Sequence, residues 1–245
     1  MGRLLETGSV RWWKWLLLSL GVITGTAVAL LVGILALAYH GVDVREYLYV
    51  ARPAWITSGW TGFWLAFLIM VQSLAAVVGL ALFRPVRPAA FAGLRRPVEW
   101  QGALRRLLAG GCLAVGVQWL WALVGPDPAG PYRLVESVVY AVSRGGALWP
   151  WVWLLAAAVA VAPFAEEVLY RGLIQSGLRR RWGVRAGMAG SALLFGLSHG
   201  PANALPAALL GLYFSYQVEQ DRSLVGAIAL HALHNVAAVL IMAAA

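Results

Sequence analysis

The chain has 245 residues, of which 61% are hydrophobic and only 12% charged. That is roughly half the charged fraction of an ordinary soluble domain, which excludes a water-facing globular surface and makes lipid the expected solvent. Nineteen basic against ten acidic side chains give a net charge of +9, but the basic residues fall in short clusters between long apolar runs, which argues against one nucleic-acid-binding patch and suits topology-setting charges at an anionic leaflet.

In chain order, the first apolar run spans about Trp15 to Tyr39, after Arg11 and Lys14. Ala36-Leu37-Ala38 near its end looks like a signal-peptidase site. The run is too long for a signal sequence, because about 25 helical residues reach roughly 37 Å, enough to cross the bilayer with tilt. Further spans are expected at about Trp60 to Phe83, Ala103 to Val124, Leu148 to Gly177, Val184 to Ser198, Ala202 to Val218 and Leu224 to Ala243. The expected fold is therefore all-α, a polytopic transmembrane bundle of about seven spans, or eight. Leu134, Val135, Val138, Val139 and Val142 repeat at helical spacing beside Arg133, Glu136 and Arg144, which reads as an amphipathic helix on the interface. Cys112, the single cysteine, lies inside an apolar run and rules out an internal disulfide framework or a cysteine-based zinc site. Many of the thirteen tryptophans, among them Trp12, Trp13, Trp15, Trp60, Trp64, Trp149, Trp151 and Trp153, sit near the ends of apolar runs, as interfacial belts do.

Basic loops alternate with charge-balanced ones. Arg3, Arg11 and Lys14 share a side with Arg84, Arg87, Arg95, Arg96, Arg105 and Arg106 and with Arg179, Arg180, Arg181 and Arg185, which places the N-terminus in the cytoplasm. The loops carrying Asp43, Arg45, Glu46 and Arg52, and Asp127, Arg133, Glu136 and Arg144, are balanced. No repeat and no low-complexity tract appears, so residues 1–245 read as one membrane domain, with residues 148–243 as its chemically active helices.

The chemistry concentrates there. Within the expected spans the clear acids are Glu166 and Glu167, and two carboxylates with Arg171 would cost about 8–10 kcal/mol if left unpaired at mid-bilayer. Glu167 and Arg171, four residues apart, share a helix face and can neutralise each other. Helix glue alone explains that pair but leaves Glu166, about 100° round the helix, without a partner. His199, and His231 with Asn235 on one helix face, supply polar groups that converge with the spare carboxylate. His234 reads equally as a supporting or a structural residue, and His40 as an interface residue.

Three ordered motifs now stand out: Glu166-Glu167-Val168-Leu169-Tyr170-Arg171, Phe195-Gly196-Leu197-Ser198-His199 and His231-Ala232-Leu233-His234-Asn235. In this the chain resembles the type II CAAX prenyl endopeptidases and their bacterial relatives, the CPBP or Abi intramembrane proteases, over about residues 148–243. The resemblance implies an intramembrane endopeptidase acting on a membrane-associated or lipidated protein or peptide. Glu166, assisted by His199, would deprotonate a water. His231 and Asn235 would donate to the oxyanion, and Glu167 and Arg171 would hold the helix in place. The alternative is a divalent metal such as zinc on Glu166, His199 and His231. The metal-free scheme is the expectation, because His-Glu-x-x-His is absent. The expected location is a bacterial-type plasma membrane, with the bilayer and the substrate as partners and no nucleic acid.

Competing readings are a transporter, which would show repeats and paired broken helices, a non-catalytic adaptor or immunity protein, and a rhomboid-type serine protease, for which Ser191 and Ser198 lack a nucleophile motif. One geometric tension remains: a span starting at Val184 carries His199 some 20 Å from the cytoplasmic edge at helical rise, deeper than Glu166. The fifth span must therefore tilt, start deeper or bend, and Gly183, Gly187, Gly190 and Gly196 make bending plausible.

Overall fold

The computed structural model describes residues 93–95, 97, 99–124, 149–199 and 203–244. The expected spans at residues 15–39 and 60–83 and the interfacial helix at 134–142 lie outside the described residues. Among these residues every regular element is a helix. α1 is Trp100–Val124, and α2 is Trp149–Leu155, which runs on through a π-helical segment, Ala156–Val161, into α3, Ala162–Glu167. A second π segment, Val168–Gln175, leads to α4, Ser176–Ser198, followed by α5, Ala204–Asp221, and α6, Val225–Ala244. Among the described residues, one helical stretch, Trp151–Ser198, is long and apolar enough to cross a membrane, and Val225–Leu240 is a shorter apolar helix.

That long stretch is not one rod. Gly183 has φ 86° and ψ 173° inside α4, a conformation essentially restricted to residues without a Cβ. The chain doubles back there. Ser191 Oγ donates to the Tyr170 carbonyl at 2.8 Å, and a Cβ on Gly187 would lie 2.9 Å from both the Gln175 carbonyl and Arg179 Cβ. These pairs run in opposite directions along the two arms, as in a helical hairpin. Glu166 stands seventeen residues before Gly183 and His199 sixteen after it, so equal helical rise on both arms brings them to the same level. The depth mismatch expected from the sequence disappears, because the first arm continues past Gly177 to the turn at Gly183.

α5 packs against α4 and reverses direction again. Gly211 lies where a Cβ would meet Phe195 at 2.9 Å and Arg171 Nη2 at 3.2 Å, a close approach that a larger residue would obstruct. α5 also extends beyond its expected end at Val218 to include Glu219 and the fully buried Asp221. Asp221 accepts from Arg106 Nε at 2.6 Å, and Tyr213 donates its hydroxyl to the Arg106 carbonyl at 2.6 Å. Arg106, which the charge pattern groups with the loop cations, therefore sits within α1 and ties it to the end of α5. Near the hairpin turn, Gln175 Nε2 donates to Glu219 at 3.0 Å and Arg179 pairs with Glu219 at 2.8 Å. The core between these helices is built from Val168, Leu173, Phe195, Phe214, Leu224 and Leu230.

Gly183→Ala forces a Cβ into this turn and is expected to destabilise the protein by about 1–3 kcal/mol, read as a lowered thermal midpoint in detergent. An unchanged midpoint would show that the hairpin does not depend on this backbone conformation.

Candidate functional site

Local backbone chemistry explains how the polar residues come together. In the first π segment the Ala162 N–H bonds the Ala157 carbonyl, five residues back. The next donor in that register would serve Ala158, but it belongs to Pro163, which has no N–H. Asn235 Nδ2 fills the vacancy, donating to the Ala158 carbonyl at 2.6 Å. The side chain thus pins α6 to the wall that carries Glu166 and keeps its second amide hydrogen for another acceptor.

The second π segment begins immediately after the paired glutamates and contains Arg171. Glu167 and Arg171 are fully buried and paired at 3.0 Å, as their four-residue spacing leads one to expect. Arg171 Nη2 also donates to the Gly211 carbonyl at 3.0 Å, and its guanidinium lies over the Phe195 ring at 4.5 Å and near Phe214 at 5.2 Å. The cation is caged by a carboxylate, a carbonyl and two aromatic faces.

Glu167 has a second partner that sequence reasoning missed. Its Oε1 lies 3.0 Å from His231 Nδ1. A carboxylate in an ion pair only accepts, so Nδ1 carries the hydrogen and Nε2 faces the other way. His231 is further held by stacking on Phe214, with centroids 5.3 Å apart at 23°, and by an edge contact with Phe195 at 5.8 Å. Its Nε2 stands 3.9 Å from Glu166 Oε2, beyond hydrogen-bond range. Glu166, with a side chain 32% exposed, leaves that oxygen buried and without a hydrogen-bond partner. The two adjacent glutamates thus have different environments: Glu167 is tied through Oε1 into a buried network, its own Oε2 also lacking a hydrogen-bond partner, whereas the unpartnered Oε2 of Glu166 belongs to a partly exposed side chain that lines the cavity.

His199 ends α4, its Nδ1 2.7 Å from the Phe195 carbonyl, so Nδ1 again bears the hydrogen. Glu166, His199, His231 and Asn235 all line one cavity of about 200 Å³, shared with His234 and Asn203. The structure therefore brings together all four residues singled out by the motifs, with Glu167 and Arg171 behind them. Asn203 is the polar lining residue the sequence reading passed over; the available signal was that the chain has only two asparagines. Among the described residues, no three His, Cys, Asp or Glu side chains are grouped to hold a metal ion, so this arrangement gives no support to zinc on Glu166, His199 and His231.

The asymmetry between the glutamates predicts unequal stability effects. Glu167→Gln leaves Arg171 buried without its counter-charge and should cost about 3–5 kcal/mol, whereas Glu166→Gln, which loses no hydrogen bond, should leave the thermal midpoint within experimental scatter. Equal destabilisation by the two changes would contradict this division of labour.

Neither a curated protein nor a solved structure matches the chain. Residues 147–237, which contain all three motifs, match the family model described as type II CAAX prenyl endopeptidase Rce1-like, the same family whose resemblance those motifs carry.

Proposed function

We propose that this protein is an intramembrane endopeptidase that hydrolyses a peptide bond in a membrane-associated or lipidated substrate, with Glu166, His199, His231 and Asn235 as the reacting set. The observation that carries this reading is the unpartnered Oε2 of Glu166 in a cavity lined by the other three. A buried carboxylate oxygen without a donor is costly, and a water supplies one. A water about 2.8 Å from both Glu166 Oε2 and His231 Nε2 would see them at roughly 90°, which is compatible with hydrogen bonding to both.

In the proposed reaction Glu166, aided by His199, takes a proton from that water as its oxygen attacks the scissile carbonyl carbon. The C–O bond forms and the carbonyl becomes an oxyanion, to which His231 Nε2–H and the remaining Asn235 amide hydrogen donate. Because Nδ1 of His231 already holds its hydrogen on Glu167, Nε2 donates only in the doubly protonated ring. The positive charge that ring carries opposes both Glu166 and the oxyanion. Collapse of the tetrahedral species breaks the C–N bond, and the leaving amine takes the proton held by Glu166. Glu167 and Arg171 act through His231, fixing its orientation.

The topology that accompanies this reading is polytopic, about seven spans in a bacterial-type plasma membrane with a cytoplasmic N-terminus, and residues 1–245 forming one membrane domain. Support comes from Arg179, Arg180, Arg181 and Arg185, which cluster on either side of the Gly183 turn, the disposition of a cytoplasmic loop between two spans.

Purified protein in reconstituted membranes should cleave a quenched prenylated CAAX peptide, and Glu166→Ala, His199→Ala and His231→Ala should each abolish cleavage while accumulating normally. Asn235→Ala should lower kcat by about 10²–10³. Full activity in Glu166→Gln would rule the mechanism out, and normal cellular function in all the alanine variants would favour a non-catalytic adaptor. Cleavage should also persist after metal-free purification in the presence of strong chelators. Its loss, restored by zinc, would favour the metal scheme.

A further inference from the structure

Asn203 has no part in the scheme above, yet its setting is unusual. It is 5% exposed and occupies the N-cap of α5, a position where asparagine ordinarily turns its side-chain oxygen on to an amide of the first helical turn. Here the side chain makes no capping hydrogen bond. Its Oδ1 is buried with no partner, and the residue lines the cavity that holds Glu166, His199, His231 and Asn235. The vacant group is an acceptor, so it calls for a donor. An oxyanion offers none, whereas a peptide N–H does. A peptide drawn into a lipid-surrounded cavity must also have its main-chain groups satisfied by protein, because little water is there to do it.

Resting on the peptidase reading of this cavity, we propose that Asn203 is a substrate-positioning residue that binds the main chain of the peptide beside the scissile bond, Oδ1 accepting a peptide N–H and Nδ2 donating to a peptide C=O. Such a contact forms in the ground state and persists in the transition state, so its loss weakens binding more than it slows chemistry.

The test compares Asn203→Ala and Asn203→Ser in reconstituted membranes with a quenched prenylated CAAX peptide. Serine retains an N-cap oxygen but is too short to span a peptide group. Both variants are expected to raise KM by about tenfold with kcat within about threefold, and Asn203→Ser to keep the wild-type melting midpoint. A wild-type KM in either variant overturns the proposal, and recovery in serine alone assigns Asn203 to helix capping. A loss confined to kcat assigns it to the attacking water instead, and a KM rise that tracks a lowered midpoint in both variants makes it merely structural. Glu166→Gln assayed alongside separates the two levels. If it cleaves like the wild type, the reaction does not depend on Glu166 and the placing of it in this cavity falls, this proposal with it; if it is silent while Asn203→Ala has an unaltered KM, only the role of Asn203 is lost.

Discussion

A buried ion pair organises this part of the molecule. Glu167 and Arg171 are held in the interior by further partners, the carboxylate meeting His231 at 3.0 Å and the guanidinium the Gly211 carbonyl and two aromatic rings, with only Glu167 Oε2 and Arg171 Nε of the pair left without a hydrogen bond. Those partners come from three separate helices, α4, α5 and α6. Satisfying one pair of opposite charges in a low-dielectric interior therefore fixes how the helices assemble around it. The same assembly sets the wall of the cavity on the neighbouring face of α3, where Glu166 lies.

Depth is settled by a different device. The turn at Gly183 folds one long apolar stretch back on itself, with Glu166 seventeen residues before it and His199 sixteen after it, so residues far apart in sequence arrive at one level. Side-chain hydrogen bonds between the arms, such as Ser191 to the Tyr170 carbonyl, then hold the register. A polar cluster of Gln175, Arg179 and Glu219 lies toward the turn, while the carboxylate, imidazoles and amides gather at the opposite end. Polar groups are thus separated into a pinning set and a set that opens on to a cavity.

Much of this was legible in the residue pattern, and the reason is geometric. Four-residue spacing puts Glu167 with Arg171 and His231 with Asn235 whatever the tertiary structure does, and α1, α5 and α6 lie close to where apolar runs place them. What periodicity could not reach were features set by contacts between helices. The partnership of Glu167 with His231 joins residues 64 apart in sequence. The pairing of Arg106 with Asp221 joins residues 115 apart, and Asp221 lies inside α5 rather than beyond its expected end at Val218. The two π segments leave no distinct trace in hydropathy, and Asn203 carried no motif. Hydropathy leaves the depth of His199 open because it ends the fourth span near Gly177, whereas the helix runs on to the turn at Gly183.

The link between Pro163, Ala158 and Asn235 has a broader implication. Proline is usually discussed as a residue that breaks helices, yet here its missing hydrogen makes a lone pair available to another helix. The carboxamide that takes it up is thereby oriented by an absence, one atom's worth of unfilled bonding capacity built into the main chain. Positions 163 and 235 consequently form a single unit despite their separation. Any residue with an amide proton at the first competes for the carbonyl that anchors the second, so neither side chain can be exchanged without changing what the other is for.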